Sequence, residues 1–341
     1  MSYSNIKKID KTSWLHNIRS SYDKRKGNSQ REYKQGIAFA ILCALLWGIL
    51  PVYWKALHPI NPVLILFYRI VLAFIFSFIM AIIFYPWEAI LKPLKNKSAI
   101  RTFFLAGSLI TLNWGIYIWA VSNEQIIQTS IGYYIEPLIV CVFGILFFRE
   151  KLNRYKLIAV FFASLGVAVI LIYHGEIPGI ALGLAFTFGT YAAIKKKHRV
   201  DAVLALLYET LFLVPVALPV IFYFELTGRG AYANAEPVQW ALLALAGIIT
   251  GTPLMLFAMA ANRINLITLG IIEYISPSIA LILGIFVYRE PFDMVQLITF
   301  GFIWIGLVIF TIGEVMENQI IAEKEREQEE KEIQGSENGD E

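Results

Sequence analysis

The chain has 341 residues, of which 57% are hydrophobic and only 16% charged, and its mean hydropathy is +0.62. A chain this apolar has too few polar residues to cover a water-exposed surface, so composition excludes a soluble globular protein. The net charge of +3 conceals two opposite tails: residues 1–35 hold nine Lys and Arg against three acids, and residues 322–341 hold three against nine. We therefore expect a membrane-embedded chain between two charged tails.

The two cysteines indicate neither a disulfide nor a metal site. Cys43 and Cys141 lie inside apolar runs and lack the spacing of metal ligands. We predict that both are small packing residues, and we expect no metal and no other cofactor.

Ten apolar segments follow one another between the tails. A helix needs about 20 apolar residues to cross a bilayer core about 30 Å thick, and these segments are close to that length. They cover residues 37–54, 62–85, 102–121, 126–148, 157–174, 177–194, 202–224, 238–259, 266–288 and 294–313. The sequence therefore predicts an all-α integral membrane protein of ten transmembrane helices in a lipid bilayer.

Basic residues between the segments predict the orientation, because loops rich in Lys and Arg are retained in the cytoplasm. With both termini cytoplasmic, the inner loops hold thirteen Lys and Arg, and the outer loops hold three: Lys55, Arg229 and Arg289. The inner set is Lys92, Lys95, Lys97, Arg101, Arg149, Lys151, Arg154, Lys156, Lys195, Lys196, Lys197, Arg199 and Arg263. We therefore predict that both termini are cytoplasmic.

An internal repeat appears when the sequence is shifted by 140 residues. The shift aligns Tyr134-Ile135, Pro137, Gly144 and Arg149-Glu150 with Tyr274-Ile275, Pro277, Gly284 and Arg289-Glu290. Because each copy holds five helices, an odd number, the second copy must be inverted relative to the first. We predict a cytoplasmic tail (1–35), a first repeat (36–174), an inverted second repeat (175–315) and an acidic cytoplasmic tail (316–341). Inverted repeats are typical of carriers that work by alternating access.

Four segments carry one charged residue each: Arg69, Glu136, Glu209 and Glu273. Charges at membrane depth usually face a partner or a water-filled cavity. Arg69 and Glu209 occupy equivalent repeat positions, and the sequence leaves open whether they meet or lie at opposite mouths of a pathway. A structural ion pair, or an Arg that reaches the interface, is the alternative to a functional role.

Prolines lie at matching positions in the fourth and ninth segments, Pro137 and Pro277. A proline inside a helix frees a backbone carbonyl, and interrupted spans at corresponding repeat positions indicate a substrate site. Residues at i, i+3 and i+4 share a helix face, as Tyr133 and Glu136 do with Pro137, and Glu273 and Ser276 with Pro277. The alternative is that these prolines only kink the helices for packing.

Asn113 and Tyr117 of the third segment are four residues apart, and Trp114 and Trp119 flank them. Aromatic walls with a few polar groups suit an organic solute. The candidate substrate-binding residues are thus Asn113, Tyr117, Tyr133, Glu136, Glu273, Tyr274 and Ser276. The candidate coupling or gating residues are Arg69, Glu209, Pro137 and Pro277.

Several motifs resemble one known group of membrane proteins. They are Trp47-Gly48 with Pro51, Asn113-Trp114 with Tyr117, Trp119-Ala120-Val121, Gly132-Tyr133-Tyr134-Ile135 with Pro137-Leu138, Tyr274-Ile275 with Pro277, and Tyr288 with Glu290-Pro291. Over roughly residues 36–315, the chain resembles the RarD group, in the EamA branch of the drug/metabolite transporter superfamily.

The resemblance implies a bacterial inner-membrane protein with an inverted, five-plus-five-helix fold. It also implies a permease, in a group linked to chloramphenicol sensitivity. Two residues depart from the group's pattern: Glu136 stands where an amide is usual, and Glu273 where Gln is usual. We expect either change to add proton coupling or to alter the charge of the substrate.

Transport of a small solute is thus the expected function, with Glu136 or Glu273 as the candidate groups for proton exchange. A membrane-embedded enzyme is disfavoured, because His16, His58, His174 and His198 lie in tails or loops and no catalytic motif is present. A non-transporting scaffold or sensor whose tails bind partners is the alternative. We expect no nucleic-acid partner, and the sequence leaves open a homodimer.

Overall fold

The computed structural model describes residues 11–123, 125–175, 179–199, 201–289 and 293–337. The described residues form α-helices joined by short connections, with one 3₁₀ turn at Lys92–Lys95 and no β-strand among them. The expected all-α architecture is confirmed. Glu290 and Pro291, which carry part of the predicted repeat and resemblance, lie outside the described residues.

The helices follow the order of the predicted segments. The first repeat region contains α1 (Lys11–Ala56), α2 (Pro62–Phe84), α3 (Trp87–Leu91), α4 (Lys97–Ser122), α5 (Ile126–Phe148) and α6 (Arg154–His174). The second contains α7 (Gly179–His198), α8 (Ala202–Leu211), α9 (Val214–Leu226), α10 (Ala231–Asn234), α11 (Pro237–Arg263), α12 (Leu266–Glu273), α13 (Ile275–Phe286) and α14 (Met294–Glu337).

Eight helical stretches among the described residues are long and apolar enough to cross a membrane, and α8 with α9 would make a ninth. The eight are Gln30–Ala56, Pro62–Phe84, Lys97–Ala120, Gln128–Phe148, Arg154–Tyr173, Pro237–Arg263, Leu266–Phe286 and Met294–Glu317. Helix α7 has the length of a span, but its last turn carries Lys195, Lys196 and Lys197. The number of ten therefore stays a prediction.

The seventh predicted segment, 202–224, is wrong as a single helix. It is broken at Phe212 and Leu213 into α8 and α9, whose axes bend by 54°. Pro215 has no N–H and cannot donate a helical hydrogen bond. Just before it, the Leu213 N–H donates to the carbonyl of Thr210, three residues earlier, rather than four residues earlier as in an α-helix (2.9 Å). By contrast, α5 runs through Pro137 without a break.

Helices α6 and α14 pack closely through a reciprocal pair of glycines. A Cβ on Gly166 would lie 2.7 Å from the Thr299 carbonyl oxygen, and one on Gly306 would lie 2.9 Å from the Ala159 carbonyl oxygen. The 140-residue shift relates Gly166 to Gly306, and it likewise relates Ala159 to Thr299. The pairing runs in opposite directions along the two helices, which is the arrangement that an inverted repeat predicts.

A buried ion pair joins α7 to α8. The Lys195 Nζ lies 2.5 Å from Glu209 Oε1, with 7% and 3% of the two side chains exposed, and the Tyr191 hydroxyl lies 3.4 Å from Glu209 Oε2. Lys195 was expected in a loop after residue 194, but α7 continues to His198. Glu209 therefore pairs with Lys195 and not with Arg69.

Arg69 and Glu209 lie toward opposite ends of the bundle. Tyr68, next to Arg69, donates a hydrogen bond from its hydroxyl to Glu225 at the end of α9 (2.8 Å). Tyr208, next to Glu209, instead donates to the carbonyl of Ile90 in α3. The start of α2 thus meets the end of α9, so α2 runs antiparallel to the bent pair α8–α9.

We expect Gly247→Ala to lower stability by about 1–3 kcal/mol, because a Cβ there would lie 2.3 Å from the Leu72 carbonyl oxygen. Gly301→Ala in α14 is the matched control, because nothing lies within 4 Å of its Cβ position. Thermal unfolding in detergent measures both. Equal midpoints for the two variants would contradict the close approach of α2 and α11.

We expect Lys195→Met to destabilise the protein by about 3–5 kcal/mol, because it leaves the buried Glu209 carboxylate without its cation. The double variant Lys195→Met with Glu209→Leu removes both charges and should recover most of that loss. The same unfolding measurement compares them. A double variant no more stable than the single one would show that the two side chains are not coupled.

Candidate functional site

Arg69 lies between two indole rings. Its guanidinium carbon is 4.2 Å from the ring centroid of Trp54 and 4.1 Å from that of Trp114. Its Nε donates a hydrogen bond to Thr250 Oγ1 (3.1 Å). Helices α1, α2, α4 and α11 therefore converge on this one cation, which makes cation–π contacts with two aromatic rings.

The terminal N–H groups of the same guanidinium have fewer contacts than its Nε. An Arg side chain carries five N–H donors, and within the described part of the chain only Nε has a hydrogen-bond partner and no carboxylate pairs with Arg69. Tyr53, Tyr117 and Tyr133 lie close enough to interact with its charge. The terminal N–H groups are thus available to water or to a solute.

Tyr117 and Tyr133 lie next to each other and keep accessible surface. Both lie deep among protein atoms, yet 37% and 40% of their surfaces are accessible, and their ring centroids are 5.8 Å apart. Arg69 combines depth with accessibility in the same way. We interpret groups that are surrounded by protein but still accessible as the wall of an opening between helices.

Two carboxylates lie beyond the tyrosines. Glu136 is one helical turn after Tyr133 on α5, deep in the protein but only half-buried. Glu273 ends α12, is 4% exposed, and its Oε1 has no hydrogen-bond partner among the described residues. The two groups are close enough for their charges to interact. Two neighbouring carboxylates in such an environment are rarely found without a function.

Other predicted residues use their polar groups to hold helices together. Asn113 Nδ2 donates to the Leu184 carbonyl (2.8 Å) and to Thr187 Oγ1 (3.0 Å), which ties α4 to α7. The Tyr274 hydroxyl donates to the carbonyl of Tyr134, its repeat equivalent (2.9 Å). The structure thus places both in packing contacts between helices.

The remaining predicted residues occupy different surroundings. Pro137 is buried, and its carbonyl oxygen would lie 2.6 Å from a Cβ on Gly270. Ser276 and Pro277 on α13 are half-buried, close in sequence to Glu273. Glu209 is held by Lys195 and is remote from this group.

One end of the bundle is tightly joined. Lys196 Nζ donates to the Ile264 carbonyl (2.5 Å), and the Glu150 carboxylate accepts the N–H groups of Leu266 and Ile267 at the start of α12 (2.9 and 3.0 Å). The Lys195–Glu209 pair belongs to this end. The accessible aromatic residues belong to the opposite half, where α1 and α4 end and α2 begins.

The sequence did not single out Trp54, Tyr53 or Thr250 as parts of this site. Tyr53 donates its hydroxyl proton to the carbonyl of Leu242. Trp54 follows it at the end of an apolar run, and Thr250 is one of two hydroxyl residues in α11. An aromatic pair at the end of a span is the signal that the sequence offers, and it is equally typical of an interfacial anchor.

Known proteins match nearly the whole membrane region. The EamA-like transporter family matches residues 34–172 and again residues 178–312. The uncharacterized transporter YojE of Bacillus subtilis is 41% identical over 83% of this chain and 96% of its own length. Protein RarD of Escherichia coli is 34% identical over 84% and 96%, respectively.

A solved crystal structure shares the fold. Its sequence is 15% identical to this chain, and the two structures superpose with a TM-score of 0.64. The match covers 81% of this chain and 97% of the other. The relatives and the apolar helices together support a multi-pass bacterial membrane protein. This chain is a RarD-like member of the EamA-like transporter family.

Proposed function

We propose that the protein is a permease that carries a small organic solute across the bacterial inner membrane by alternating access. The observation that carries the proposal is the group of deep but accessible side chains: Arg69, Tyr117, Tyr133 and Glu136. A cavity lined by aromatic rings with a few polar groups is typical of a site for an organic solute. Carriage rather than catalysis fits a family of transporters.

Two inverted repeats of five helices would provide the two conformations. The family match occurs twice along the chain, and the Gly166 and Gly306 contacts pair equivalent segments of α6 and α14 in opposite directions. Arg149 and Arg289, at equivalent positions, share a left-handed backbone with φ of 53° and 54°. Inverted halves of similar structure can exchange roles, which opens the site to either side in turn.

The contacts at the ends of the bundle indicate which side is closed. The excess of basic residues at the joined end, which holds Lys195–Glu209 and Lys196, supports a cytoplasmic location for it. The aromatic cavity would then open outward in this conformation. Opening toward the cytoplasm requires these contacts to separate while the other half closes over the site.

Glu136 and Glu273 are proposed to couple transport to protons. Glu273 has a buried oxygen without a hydrogen-bond partner among the described residues, and Glu136 faces accessible space nearby. A carboxylate reached from alternate sides can take up a proton on one side and release it on the other. Proton exchange at this pair would then accompany each cycle.

We expect a pH gradient to drive solute flux in proteoliposomes, and Glu136→Gln and Glu273→Gln each to abolish that dependence. A glutamine keeps the shape of the side chain but cannot exchange a proton. Glu88→Gln, on the exposed helix α3, is the matched control and should retain the response. The solute panel is amino acids, nucleosides, small sugars and chloramphenicol.

Gradient-dependent flux that survives both substitutions would refute the coupling role but not transport. Absence of flux for every solute, with a cellular phenotype lost when both charged tails are deleted, would instead support the scaffold alternative.

We expect Arg229→Cys to react with a membrane-impermeant maleimide on intact cells, and Lys95→Cys to react only after lysis. Both positions are exposed and are predicted on opposite sides of the membrane. The native Cys43 and Cys141 are buried and should contribute little background. The reverse labelling pattern would invert the proposed topology.

A further inference from the structure

We infer that the solute carries one anionic group, a carboxylate, which binds to the edge of the Arg69 guanidinium. The inference rests on the proposed permease function and names the substrate class for that site. It starts from the geometry of Arg69, whose guanidinium carbon lies over the rings of Trp54 and Trp114 and whose Nε is bound to Thr250.

The two indole rings restrict how a ligand can approach. Because two aromatic rings lie about 4 Å from the guanidinium carbon, the edge that carries the terminal N–H groups is the part left for a ligand to reach. That edge matches the two oxygens of a carboxylate in a bidentate pair. The rings and Thr250 fix the orientation of the edge before any ligand arrives.

Charge balance supports an anion at this position. Within the described residues no carboxylate pairs with Arg69, and the groups that interact with its charge are Tyr53, Tyr117 and Tyr133. Aromatic faces and hydroxyls offset part of the cost of a cation at membrane depth, but they supply no counter-charge. A bound carboxylate would supply it.

The neighbouring groups restrict the rest of the solute. Tyr117 and Tyr133 present accessible ring surface beside the cation, which suits a planar apolar body. Glu136 is one helical turn after Tyr133 on α5. In their ionised form, Glu136 and Glu273 would repel a second negative group, so the site then favours a monoanion over a dianion.

The test uses the full-length protein in lipid nanodiscs and measures binding by calorimetry. The ligands are benzoate, phenylacetate and indole-3-acetate, each beside its neutral amide, with phthalate as a dianion. We expect at least one carboxylate to bind roughly tenfold or more tightly than its amide and than phthalate, because only the monoanion gains the charge-assisted pair without repulsion.

Variants separate recognition from support of the fold. Arg69→Gln should remove the preference for the carboxylate, and Arg69→Lys, which keeps the charge but loses the planar fork, should retain only part of it. Arg154→Gln, an exposed arginine stacked on Tyr155, is the matched control and should bind as the wild type does. Thermal unfolding of each variant confirms that it is folded.

Amides that bind as tightly as their carboxylates, or no binding of any carboxylate, would overturn the inference. So would a folded Arg69→Lys or Arg69→Gln variant with an undiminished preference for the anion. Flux of neutral solutes without anion binding would leave the permease function standing and refute only the substrate class. Anion binding without any flux would refute transport and leave the binding site standing.

Discussion

A charge inside a membrane needs a partner, and this requirement organises the described structure. Glu209 satisfies it with Lys195 and the Tyr191 hydroxyl, in a fully buried contact. Arg69 satisfies it in part, through Thr250 and two indole faces. Glu273 retains an oxygen with no partner among the described residues. The first group is complete and holds helices together, whereas the other two leave polar atoms free for a solute or a proton.

The two ends of the helix bundle differ in how tightly side chains join the helices. One end is joined by side chains that reach across helices, as Lys196 does to Ile264 and Glu150 to the start of α12. The other half retains accessible surface on Tyr117 and Tyr133. A carrier needs this difference, because only one side of its site is open at a time. The bend between α8 and α9 directly follows Glu209, so a change in that ion pair would act on a helix already interrupted by Pro215.

Close contacts between helices mean that a change between open and closed conformations would move whole helices rather than single side chains. Gly166 and Gly306 bring α6 and α14 into backbone contact, and Gly247 does the same for α11 and α2. Small residues allow helices to approach where lipid supplies no hydrophobic driving force between them. Because such contacts tolerate little deformation, each of these pairs, α6 with α14 and α2 with α11, is expected to move as a packed unit.

The sequence by itself determined where most of the apolar helices lie, because the length and spacing of apolar runs are local properties, but it did not show the break between α8 and α9. It placed α2 and α5 to within a residue or two, and it paired Tyr133 with Glu136 on one helix face. It also identified Arg69 and Glu209 as candidate coupling or gating residues from their charge alone. The tertiary structure decided their partners: Thr250 is 181 residues from Arg69, and Lys195 reaches Glu209 only because α7 extends past its apolar run. Asn113 and Tyr274 turned out to bind backbone carbonyls of other helices. Such pairings depend on how helices pack, and the periodicity of one helix does not identify which helix lies next to it.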